Sequence, residues 1–232
     1  MKKLLTLYTT LLMFAAGCQQ ADTTERIEEQ TNNSAQNEAE EKTAERKKTI
    51  VFFGNSLTAG YGLEPAEAFP AIIQQHIDSL GLPYRVVNAG VSGETSAGGK
   101  GRIDWLLKQP VDVFVLELGA NDGLRGINPI ETYENLATII DKVKEKNPEA
   151  EIVLAGMQMP PSMGQRFTAE FKEVYIKLAK EKDAALIPFL LDGVAGDKAL
   201  NQGDGIHPSV EGQKILANNV WEVLEPVLLE EK

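Results

Sequence analysis

From Thr49 onward, short apolar, β-rich runs alternate with longer stretches whose apolar residues recur at helical spacing, and that alternation leaves few folds open. Runs near residues 50–53, 85–88, 111–118, 151–157 and 185–188 read as strands. In the stretches between them, Phe69, Ile72, Ile73, His76, Ile77 and Leu80 share one helix face. Asn128 and Pro129 read as the cap and first residue of a helix whose buried side carries Tyr133, Leu136, Ala137, Ile140 and Val143. Phe171, Val174, Tyr175 and Leu178 mark another. Leu216, Val220, Val223, Leu224 and Val227 mark the last, which Pro226 is expected to bend or end. Strands separated by helices predict a parallel sheet with helices on both faces.

The N-terminus follows a different logic. Met1-Lys2-Lys3 is positive, residues 4–16 are mostly apolar, and Ala15-Ala16-Gly17-Cys18 closes the run. This is the pattern of a secretory signal peptide over residues 1–17, too short for an ordinary membrane span. The single cysteine, Cys18, follows the small residues as in a bacterial lipoprotein lipobox. That likeness implies cleavage before Cys18, lipidation of Cys18 and a membrane-anchored protein outside the cytoplasm. Residues 18–47 are rich in Glu, Gln, Asn, Thr and Lys and lack aromatics, so they cannot bury enough apolar surface to fold. They are expected to form a polar tether, leaving residues 48–232 as one domain.

The charge balance narrows the partners. A net charge of −11 argues against a nucleic-acid footprint, which needs a basic stripe. One cysteine excludes an internal disulfide and a cysteine-rich metal site. No nucleic acid and no obligate protein partner is indicated.

Chemistry-bearing residues cluster at the predicted strand ends, where open parallel sheets place ligands. Ser56 follows the first strand within Gly54-Asn55-Ser56-Leu57, although a serine there also fits a helix cap. Gly54 is expected to let the backbone turn sharply. Gly93 and Asn121 follow the second and third strands. A backbone N–H at Gly93, the amide of Asn121 and the Ser56 N–H at a helix start can each donate to a developing oxyanion. His207 lies in the glycine-rich loop Gly203-Asp204-Gly205-Ile206-His207-Pro208 before the last helix. Asp204, three residues earlier, can fold back onto the imidazole and fix its tautomer, or can bond its own backbone in a turn. His76, on an apolar stripe, is expected to be a packing residue.

Gly54-Asn55-Ser56-Leu57, Gly93, Gly119-Ala120-Asn121-Asp122 and Asp204-Gly205-Ile206-His207 resemble, in order, the blocks of the SGNH (GDSL) hydrolases. Residues 117–126 and 204–208 are most similar to the bacterial thioesterase/lysophospholipase/arylesterase branch. The resemblance implies a flavodoxin-like three-layer α/β/α sandwich around a central five-stranded parallel sheet. It also implies Ser56 as nucleophile, His207 as base, Asp204 as its orienting carboxylate, and Ser56, Gly93 and Asn121 as the oxyanion hole, with no metal or organic cofactor. Asn55 stands where the family usually has aspartate. The loop after the fourth strand, with Met159, Pro160 and Met163, is expected to border the acyl groove, with residues 60–63 on its other side.

The expected activity is hydrolysis of aryl or short- to medium-chain acyl esters, lysophospholipids or thioesters through an acyl-enzyme. A carbohydrate O-acetyl esterase is the alternative within the family. A nucleotide-binding module on the same topology would need a phosphate-cradling loop, and residues 54–60 match neither G-x-G-x-x-G nor G-x-x-x-x-G-K-[ST]. A non-catalytic adhesin would have no use for His207 beside Asp204.

Overall fold

The computed structural model describes residues 47–229; the expected signal peptide, almost all of the tether, and Cys18 lie outside the described residues. Strand β1 (Lys48–Gly54) is followed by a short helix α1 (Ser56–Ala59) and then by α2 (Phe69–Ser79). Next come β2 (Tyr84–Gly90), α3 (Ser96–Leu106), β3 (Val113–Glu117), α4 (Ala120–Leu124) and α5 (Pro129–Lys146). The chain ends with β4 (Glu151–Ala155), α6 (Gln165–Lys182), β5 (Ala185–Ile187) and α7 (Val210–Leu229). All five expected strands are present. β3 and β4 are shorter at their ends than the apolar runs, because Val111, Leu118 and Met157 are buried without joining the ladder.

The sheet is parallel throughout, in the order β2-β1-β3-β4-β5. Its central strands β1, β3 and β4 are covered on both faces, so their middles are apolar: Ile50, Phe52, Phe53, Phe114, Val115 and Leu116 are fully buried, while the edge strand β2 leaves Arg85 and Asn88 exposed. Helices α2 and α7 pack together on one face, and α3, α5 and α6 on the other, giving three layers. From β1 the chain moves outward to β2, then returns past β1 to β3. This reversal opens the crevice at the carboxyl ends of β1 and β3. There Gly54 pairs in register with both Gly90 and Glu117.

The helix faces follow the apolar spacing with local exceptions. Phe171, Val174, Tyr175 and Leu178 are all buried. In α5, Ile139 is buried while Tyr133 and Ala137 are partly covered. Leu80 is not on the buried stripe; it caps α2 and is exposed. Asn128 does cap α5, its side chain accepting from Ile130 N. Pro226 does not end α7, which runs on to Leu229. A proline so near a helix end removes one bond without breaking the turns before it.

Candidate active site

Ser56 is the first residue of α1, and it is not the cap. Asn55 holds that position: its Oδ1 accepts from Leu57 N at 2.9 Å. Asn55 itself is tied down by Glu117, whose Oε1 accepts from Asn55 Nδ2 at 2.7 Å and whose Oε2 accepts from Asn55 N at 3.0 Å. Thr58 adds its hydroxyl at 2.7 Å and its N–H at 3.3 Å to the same Oε2. Glu117 is fully buried, and loss of hydration pushes its carboxyl up to about 7, against the pull of these hydrogen bonds. Gly54 has a use that differs from the sharp turn expected of it. Its φ is not positive; a Cβ there would run into Thr58 Oγ1 and stand 2.5 Å from Glu117 Oε2.

His207 lies opposite. Its Nε2 is 2.9 Å from Ser56 Oγ, and its Nδ1 is 2.6 Å from Asp204 Oδ2. Asp204 makes both of the arrangements open to it. Oδ2 takes the ring, while Oδ1 accepts from Ile206 N and His207 N, each at 3.0 Å. Hydrogen bonding to the imidazole and to these two N–H groups holds the Asp204 carboxyl well below the usual carboxylate range. The Tyr61 ring lies 4.6 Å from the imidazole, centroid to centroid. Gln202 Nε2 bridges the two loops, donating to Tyr61 O at 2.7 Å and to Pro208 O at 3.0 Å.

The donor side is built from β2 and β3. Gly93 has φ +79°, a conformation that costs other residues, and a Cβ there would point into open space. Its carbonyl accepts from Arg125 Nη2 at 3.1 Å. The neighbouring Glu94 receives Arg102 through both oxygens, at 2.6 and 2.5 Å, and Arg102 also bonds Ala89 O. Asn121 Nδ2 spends one hydrogen on Glu94 O at 3.0 Å, which leaves the second for another acceptor. Asp122 is neither exposed nor a simple cap. It is fully buried and accepts from Ser96 N at 2.8 Å and from the Ser96 hydroxyl, joining α4 to α3.

Ser56, Gly93, Asn121 and His207 all line one cavity of about 600 Å³. Met159 and Pro160 form part of its wall, as expected, and Tyr61 borders it. Met163 does not; it lies in a single 3₁₀ turn (Pro161–Met163) that packs it against the core. Phe189, Leu191 and Ile206 complete apolar walls that sequence reasoning did not single out. Lysine, arginine, aspartate and glutamate are absent from the residues lining the cavity. His76 is remote from this chemistry and meets Trp221 edge to face at 5.4 Å.

Residues 52–215 match the GDSL-like lipase/acylhydrolase family. The chain belongs to the SGNH (GDSL) hydrolases. It is 41% identical to the esterase TesA of Pseudomonas aeruginosa over 78% of this chain and 89% of that one. It is 39% identical to the thioesterase 1/protease 1/lysophospholipase L1 of Escherichia coli K12, over 78% and 85% of the two chains. The crystal structure of TesA superposes with a TM-score of 0.75, at 41% identity, covering 78% of this chain and 100% of that one. The protein is a serine ester hydrolase of the three-layer SGNH fold, and the nucleotide-binding and adhesin readings fall away.

Besides those wall residues, sequence reasoning assigned no role to Glu117 and Thr58. The available signal was a lone carboxylate inside the apolar run of β3, since a buried charge requires donors around it.

Proposed function

We propose that Ser56 is the nucleophile of a carboxylic ester hydrolase, with His207 as base and Asp204 as its orienting group. The observation that carries this reading is the 2.9 Å approach of His207 Nε2 to Ser56 Oγ at the wall of the apolar cavity. Ser56 Oγ gives its proton to Nε2 and attacks the ester carbonyl. The carbonyl oxygen becomes an oxyanion facing Ser56 N–H, Gly93 N–H and the free hydrogen of the Asn121 amide. The imidazolium, stabilised by Asp204, protonates the departing alcohol and leaves an acyl-enzyme. His207 then removes a proton from water, which displaces Ser56 and releases the acid.

The walls favour an aryl or a short- to medium-chain acyl group over a sugar ring, because they offer apolar surface and few polar partners. Lysophospholipids and thioesters fit the same chemistry. Their charged portions would lie outside the cavity, whose lining brings no lysine or arginine to meet them. Residues 1–47 supply export, the tether and the Cys18 lipid anchor in this reading, placing the domain outside the cytoplasm. No helix among the described residues is long and apolar enough to cross a membrane.

A panel of nitrophenyl esters of graded chain length, assayed beside an acetylated sugar, tests the substrate. Turnover should peak on an aryl ester of short or medium chain. A preference for the acetylated sugar would favour the O-acetyl esterase reading instead. Ser56→Ala should lower kcat by about 10⁶-fold, and wild-type turnover in that variant would refute the mechanism.

A further inference from the structure

Glu117 is the one buried carboxylate next to Ser56 to which the mechanism above gives no work. Its side-chain hydrogen bonds all go to Asn55 and Thr58, the residues on either side of Ser56–Leu57. The orientation of the Asn55 amide follows from its partners. Leu57 N–H can only donate, so the atom 2.9 Å from it is Oδ1, and Nδ2 must face Glu117 Oε1. Oδ1 also lies 3.4 Å from Ser56 Oγ, so the amide touches the nucleophile. Three of the four groups on Glu117 are N–H donors that cannot reverse. The carboxylate accepts from all of them, whereas a neutral acid keeps them only by placing its proton on Oε2 toward the Thr58 hydroxyl, which must then turn from donor to acceptor.

The other ionisable groups nearby do not enter this set. Tyr175, from α6, donates to Leu118 O at 2.9 Å, and burial pushes its hydroxyl up. Asp122, from α4, is occupied by Ser96. An aspartate at position 55 would set oxygen against oxygen at 2.7 Å and need a shared proton. The amide of Asn55 makes the same bond with no proton to lose.

We propose that Glu117 is a positioning residue for Ser56: as a carboxylate it grips the Asn55–Thr58 turn and keeps Oγ in line with His207, with Asn55 as its matched donor. This rests on Ser56 being the nucleophile. The pairing has a reciprocal. In Glu117→Gln/Asn55→Asp, the glutamine amide donates to the aspartate, and its carbonyl oxygen takes the place of Oε2. Glu117→Gln alone sets an amide N–H against one of the fixed donors.

The test is steady-state kinetics on a nitrophenyl ester, with circular dichroism to establish folding. Glu117→Gln should lower kcat about 10²-fold with KM little changed, as expected for an ångström-scale misplacement. The double variant should recover to within about tenfold of wild type. A folded Glu117→Gln with near-wild-type kcat would overturn the proposal. So would an impaired single variant that the double does not rescue. If Glu117→Gln fails to fold, the double variant decides: folded and active supports the pairing, and unfolded overturns it. Ser56→Ala is run alongside. If it keeps activity, the nucleophile reading falls and takes this inference with it; if it is inactive, the Glu117 series judges the inference alone.

Discussion

Gly54 and Glu117 face each other across the β1–β3 ladder, and the missing Cβ of Gly54 is the room in which Oε2 of Glu117 meets Thr58 and Asn55. A side chain there must displace either the carboxylate or the strand backbone, because Glu117 O would also stand 2.7 Å from the new Cβ. Gly54→Ala should therefore cost about 1–3 kcal/mol in stability, as overpacking of a closed site does. It should also lower kcat. Urea unfolding together with kinetics checks this, and a variant as stable and active as wild type would show that the space is not needed.

Glu117 also sets a pH dependence of stability. Its carboxyl is raised from 4.5 to about 7 in the folded protein, so the folded state binds this proton more readily than the unfolded chain. The contribution is full below about pH 4.5 and is lost as pH rises through about 7. Between pH 5 and pH 8, wild type should lose about 2–3 kcal/mol more than Glu117→Gln, at about 1.4 kcal/mol per pKa unit. Urea unfolding of both proteins at the two pH values measures the difference. Equal slopes would mean that Glu117 titrates as an ordinary surface carboxyl.

Asn121 is anchored by Glu94 O and keeps one amide hydrogen for the site. Asn121→Ala should reduce kcat by about 10²–10³-fold while the fold survives, the usual effect of removing one oxyanion donor. A loss below tenfold would remove Asn121 from that role.

Cys18→Ser should release the expressed protein from membranes into the soluble fraction of its compartment. The check is fractionation followed by detection of the domain, and unchanged membrane retention would refute lipidation at Cys18.

The strand–helix alternation was legible because the central strands β1, β3 and β4 are buried on both faces and therefore largely apolar. Helix α6 was legible for a related reason, since it has one buried side at regular spacing. Helix α3 was harder to read: Ser96, Gly98, Gly99 and Gly101 dilute its pattern, and Gly99 is there to admit Leu118 and Phe53. At the site, Ser56, Asp204 and His207 could be named from their blocks, and the structure brings them together over 151 positions of chain. Glu117 could not be assigned a task in advance. Its partners are fixed by the register that sets it beside Gly54, a relation between strands that neither strand's own sequence contains. Met163 was misjudged because a single 3₁₀ turn redirects it from the groove to the core.

The Gln202 side chain stitches the loop carrying the base to the loop following the nucleophile, one amide grasping a carbonyl on each side. Ser56 and His207 thus belong to one hydrogen-bonded frame, although one rides on the first strand's exit and the other on a long excursion before the final helix. Loss of this stitch would free the base's loop from the nucleophile's while leaving the ladder of the sheet untouched.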